Sequence, residues 1–144
     1  MMQTEQMARD QPRAEGQAIV EFVMVLGIFL SLVFGLIGVG QMLLANYAVN
    51  QAARAAAHQA AIAGGQSRPA EDAAQLVLNA GVGTHISRAT VVVQCAPVSG
   101  GSTCRRYDPV TVTVVYRDRL WVPFPLDEFT LRAEATRASE RDQQ

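Results

Sequence analysis

Over residues 22–40 the chain runs 19 residues with one side chain able to hydrogen-bond, Ser31. As an α-helix such a run crosses a hydrocarbon core of roughly 30 Å, for which about 20 apolar residues suffice. One helix is therefore expected in a bilayer. Glu21 stands at the mouth of this run, directly before Phe22. A carboxylate is costly in hydrocarbon, so an ionisable residue at such a place is a functional candidate whose partner has to be named. A cut after Gly16 would create that partner. It frees an α-amine on Gln17, one helical turn from Glu21 and on the same face, where amine and carboxylate can pair.

Residues 16–22 read Gly-Gln-Ala-Ile-Val-Glu-Phe, at the boundary between a polar-rich stretch of 16 residues and the uncharged run. Gly followed five residues later by Glu is a weak signal alone, and its position at that boundary is what raises it. The arrangement resembles the processing site of type IV pilin-like proteins, and more closely the TadE-like family of the tight-adherence (Tad, or Flp) pilus system, over roughly residues 16–58. In that family a polar leader ends in Gly, a prepilin peptidase cuts after it, and Glu followed by Phe or Tyr stands fifth and sixth in the mature chain. Gly16, Gln17, Glu21 and Phe22 fit that register. An alanine-rich stretch with an Arg after the apolar run is also usual there, and residues 50–58, Asn-Gln-Ala-Ala-Arg-Ala-Ala-Ala-His, match it through Arg54. Gly27 departs from the pattern, standing where these proteins commonly have Pro, although both residues weaken a helix interior. The resemblance implies a minor pilin or pseudopilin, a structural subunit or assembly factor of a pilus used for surface attachment. Its implied partners are the prepilin peptidase, other pilins and pseudopilins, the inner-membrane assembly platform and the lipid bilayer. The competing reading is an ordinary signal anchor: a single-pass protein with an interfacial Glu21 and a small extracytoplasmic domain that binds a ligand or partner.

The composition agrees with a tethered protein. Of 144 residues, about 80 remain for a globular part once a leader and a long helix are set aside, enough for one small domain with a marginal core. Net charge is −1, with no clustered basic face of the kind nucleic-acid binding requires. All 12 basic residues are Arg, which excludes a phosphate-loop lysine, a Schiff-base lysine and a lysine crosslink. Gly-x-Ser-x-Gly, His-Glu-x-x-His and a glycine-rich phosphate loop are all missing, and no Ser or Cys has a His base near it in sequence. No enzymatic activity, catalytic residue or cofactor is expected.

The apolar core is too long for a conventional secretory signal, although Ala-Asn-Tyr-Ala at residues 45–48 offers a late cleavage site as a minor alternative. The leader does not fix orientation by charge, because Arg9 and Arg13 are balanced by Glu5, Asp10 and Glu15. Cys95 and Cys104 speak to it more directly. Nine positions apart, they flank a loop between two strand patterns, and a disulfide there would staple its base. Such a bond persists in an oxidising compartment, which puts the C-terminal part outside the cytoplasm and the N-terminus inside. Free buried thiols are the rival, while a metal site lacks ligands because His58 and His85 stand alone.

The expected organisation is a disordered leader over residues 1–16, cleaved on the cytoplasmic side, and a helix over 17–63 that spans the membrane at about 22–44. An extracytoplasmic head follows over 64–139, then a disordered tail over 140–144. Gly27, Ser31 and Gly35 place small side chains on one stripe of the membrane helix, either for close helix packing or because Gly is common in such helices. Gly64 and Gly65 end the first helix, and a second starts at Ser67 with Pro69 in its first turn. Its apolar face is Ala70, Ala73, Ala74, Val77 and Leu78. Three strand patterns follow: a β-branched one over 89–95, Val110-Val112-Val114-Tyr116 alternating with Thr111, Thr113, Val115 and Arg117, and Phe129-Leu131-Ala133-Ala135 alternating with Thr130, Arg132, Glu134 and Thr136. The fold class is thus α+β, a long N-terminal transmembrane helix continuing into a small head with a second helix and a three-stranded antiparallel sheet. Residues 120–126, Leu-Trp-Val-Pro-Phe-Pro-Leu, cannot be a central strand. Trp121 and Phe124 either close one end of the core or form a patch for a subunit or the bilayer surface.

Overall fold

The computed structural model describes residues 11–82, 89–98, 100, 103–119 and 128–143. The two-residue hydrophobic alternation and the helical patterns resolve into α1 (Gln11–Ile62), α2 (Ser67–Val82), β1 (Ala89–Cys95), β2 (Pro109–Arg119) and β3 (Glu128–Ala138). The fold is α+β, with an antiparallel sheet in the order β1-β2-β3. Two compact units divide the chain, one up to Val39 and the other from Gly40 onward; α1 contributes to both.

Helix α1 begins at Gln11, six residues before the start read from the sequence. Pro12 falls in its first turn, where a missing N–H costs nothing and a fixed φ suits the helix. The remainder of the expected disordered leader, residues 1–10, lies outside the described residues, as do His85 and residues 120–127. α1 ends where the sequence says it should. Gly65 N–H donates to the Ala60 carbonyl at 2.7 Å and Gly64 N–H to the Ala61 carbonyl at 3.4 Å, the paired bonds of a Schellman cap. Both glycines have positive φ, 69° and 85°, and a Cβ on Gly64 would sit 2.9 Å from the Asp142 carbonyl oxygen. Glycine is needed there twice over, for conformation and for space.

In the unit from Gly40, the alanine-rich part of α1 is a core element. Ala45, Ala48, Val49, Ala52, Ala53, Ala56, Ala57 and Ala60 are all buried in one cluster. They recur at three- and four-residue steps, one face of a helix. Against them pack Ala70, Ala74 and Leu78 of α2, and Val110, Val112, Val114 and Tyr116 of β2 with Phe129 and Ala133 of β3. The compact unit that holds this core starts at Gly40. Small side chains let the elements approach closely: a Cβ on Gly81 of α2 would come 3.0 Å from the Ala48 Cβ. The exposed side of α1 carries Asn46, Asn50, Arg54 and His58.

Strand β2 is central. Val110, Val112, Val114 and Tyr116 face the helices, and their register partners on β3 are Arg137, Ala135, Ala133 and Leu131. Thr111 and Thr136 face the other way and share a hydroxyl hydrogen bond of 2.8 Å. Tyr116 Oη donates to Asp118 Oδ2 at 2.7 Å, which satisfies the buried phenol. At the far end of β2, Gln41 Nε2 of α1 donates to the Arg119 carbonyl at 3.4 Å. The head thus begins within the stretch 22–44 read as membrane-spanning.

At the opposite end of β2, residues 139–143 are bound into the head instead of fraying. Glu140 N–H donates to the Ala61 carbonyl at 2.9 Å, and Gln143 N–H to the Cys104 carbonyl at 2.8 Å. In return Cys104 N–H donates to Gln143 Oε1 and Arg106 N–H to Asp142 Oδ1. These bonds satisfy loop groups that nothing local can reach. They correct the expected disordered tail.

Candidate processing and assembly site

Gly16, Gln17, Glu21 and Phe22 all lie on α1 with their surfaces exposed. Gln17 and Glu21 are four apart and share a face. Among the described residues Glu21 has no ion pair, so its carboxylate is available to a cation from elsewhere. The Gly16–Gln17 peptide bond sits inside helix, where its backbone groups are tied up. A protease acting there must unwind the turn. Glycine makes that easier by about 1 kcal/mol relative to alanine.

From Phe22 through Val39 the helix is apolar on all sides apart from Ser31, and most of its side chains are exposed. It is long and apolar enough to cross a membrane. Ser31 Oγ donates to the Gly27 carbonyl at 2.8 Å, so the only polar side chain of the run is satisfied within its own helix, as lipid requires. Cβ positions on Gly27 and Gly35 would meet nothing within 4 Å. The stripe is open surface, and α1 is unbroken across it.

In the head, Cys95 and Cys104 are joined by a disulfide with a Cα–Cα distance of 5.9 Å. Cys104 is buried under Gly65. Asp108, itself buried, accepts hydrogen bonds from Val98 N–H at 3.1 Å and Arg105 N–H at 2.8 Å. The two sulfurs and a carboxylate oxygen of Asp108 lie within 4.8 Å of one another, yet the sulfurs are bonded and the carboxylate holds backbone amides. The cluster is a staple, not a metal centre. Replacing both cysteines with serine should lower the unfolding free energy by about 2 to 3 kcal/mol, the chain-entropy value for so short a loop. Urea unfolding of oxidised protein against the double variant checks this, and equal midpoints would contradict it.

Sequence reasoning did not single out Tyr107, Asp108 or residues 140–143. Tyr107 adopts φ 75°, a conformation unusual for a bulky residue that costs on the order of 1 to 3 kcal/mol. Nothing in the type of residue announces it. Asp108 was more accessible to reading, since Tyr-Asp-Pro before a strand pattern is a turn signal.

Among the described residues there is one helix long and apolar enough to serve as a membrane anchor, with an unpaired carboxylate at its polar-to-apolar boundary, and an α+β unit. Residues 16–58 are similar to one known family: the family model described as TadE-like protein matches that segment. The match begins at Gly16 and lies wholly within α1. Neither the curated proteins nor the solved structures give a match.

Proposed function

We propose that this chain is a minor pilin or pseudopilin of a Tad-type pilus, a structural subunit or assembly factor in surface attachment and not an enzyme. The observation that carries this reading is the TadE-like match starting at Gly16, the residue after which a prepilin peptidase would cut. An exposed apolar helix behind it and an unpaired Glu21 support the same reading. In this proposal the leader is cytoplasmic, the helix resides in the inner membrane until assembly, and the head is extracytoplasmic. A disulfide in the head favours that orientation, because such bonds persist in oxidising compartments. Other pilins and the assembly platform would receive the helix once it leaves lipid.

The mature chain should begin at Gln17. Peptide mass mapping of protein from the native host tests this directly. An intact Met1 or Met2 start would favour a single-pass anchored protein whose head binds a partner without polymerising, and an N-terminus near residues 47–49 would indicate signal-peptide removal.

A further inference from the structure

We infer that the end of the head built around Tyr107 is a docking surface for an acidic segment of a partner protein. Tyr107 is 72% exposed although it occupies a strained backbone conformation. That conformation is held from several sides: Tyr107 N–H donates to the Ser139 carbonyl at 2.7 Å, Asp108 N–H to the Arg105 carbonyl at 3.0 Å, and Asp108 Oδ2 accepts from Arg105 N–H. Structure spent on fixing an exposed aromatic ring in an unfavourable backbone is a mark of presentation, since burial gains nothing from it. The Arg106 guanidinium lies 5.0 Å from the ring centroid, which pre-orders both groups.

The chemistry around the ring selects the partner. Arg106, Tyr107 and Arg137 line one cleft of about 480 Å³ with Glu140, and Arg106 and Arg141 line a neighbouring one of about 760 Å³ with Glu140 and Asp142. Arg137 occupies the last inward-facing register position of β3, opposite Val110, where the core has ended and the side chain meets solvent. Among the described residues Arg106, Arg137 and Arg141 make no ion pair. Of the two carboxylates, that of Asp142 already accepts the Arg106 N–H. Arg106 and Arg137 beside a fixed tyrosine, with Arg141 in the adjoining cleft, are guanidinium groups without an ion pair, residue types that dominate protein-recognition hot spots and that pair with carboxylates in two-pronged fashion. The inference rests on the head alone and is indifferent to whether Gly16 is a cleavage site.

The test uses the full chain in detergent and a ten-residue polyglutamate peptide as probe, with a polyserine peptide and alginate, an anionic polysaccharide, as comparisons. Polyglutamate should bind in a salt-sensitive manner and polyserine should not. Arg106→Glu and Arg137→Glu should each weaken binding roughly tenfold. Tyr107→Gly should weaken binding as well while leaving the thermal midpoint unchanged or raised, because glycine accepts the positive φ without strain. A merely structural tyrosine would show the reverse. Absence of polyglutamate binding, or binding unaltered in these variants, would overturn the inference. Binding of alginate in preference to polyglutamate would also overturn it, by making the surface a polysaccharide site.

Discussion

Ala56→Leu combined with Ala60→Leu will unfold the head. Both alanines are fully buried at 0% exposure, one turn apart on the face of α1 that meets the sheet and α2. Each added isobutyl group has to displace close-packed neighbours, at a cost of about 1 to 3 kcal/mol per site. Together the two approach the whole stability of about 5 kcal/mol typical of a small domain at the lower end of the range. Asn50→Leu, on the exposed side of the same helix, should be nearly neutral and controls for helix propensity. Near-ultraviolet circular dichroism of the detergent-solubilised chain follows the outcome. A cooperative transition at the wild-type midpoint in the double variant would mean that the alanine face is not the core.

Glu21→Ala and Glu21→Gln should leave cleavage and membrane residence intact and abolish assembly. At the polar-to-apolar boundary the carboxylate stays hydrated, so insertion does not depend on it. Packing among other helices removes that hydration. A carboxylate there requires a cation, and if the chain is cut after Gly16 as proposed, the α-amine of Gln17 on the same or an adjacent subunit would supply it. Counting pili and co-purifying partner pilins from both variants decides the matter. Wild-type levels would reduce Glu21 to an interfacial residue.

The elements themselves were legible because their periodicities are strong. Val110, Val112, Val114 and Tyr116 announce a strand with one buried face, and the structure buries those four. Gly64 and Gly65 announce a helix end, and they cap it. The long apolar helix and the TadE-like segment were equally plain, since both are local in sequence. What escaped depends on distant partners or on weak side-chain preference. Alanine is a good helix former whether solvated or buried, so the alanines of α1 did not reveal that they are the core. Residues 140–143 look like a frayed end in composition, and only the unsatisfied amides of the loop near Cys104 give them a place. Tyr107 offers no hint of positive φ, because the cause lies in the bonds from Ser139 and Asp108 that hold it.

Those late residues also set a schedule for the molecule. The Cys104 and Arg106 amides find their partners on Gln143 and Asp142, and the Ala61 carbonyl gains a second donor from Glu140, so the bonds that tie this end of the head together form only after residue 143 has been made. A chain delivered across a membrane as it is made would emerge helix first and stay open until then. Its alanine face would meanwhile be exposed to other chains and to quality-control machinery. Machinery that carried such a chain across a membrane would have to handle an unfinished head.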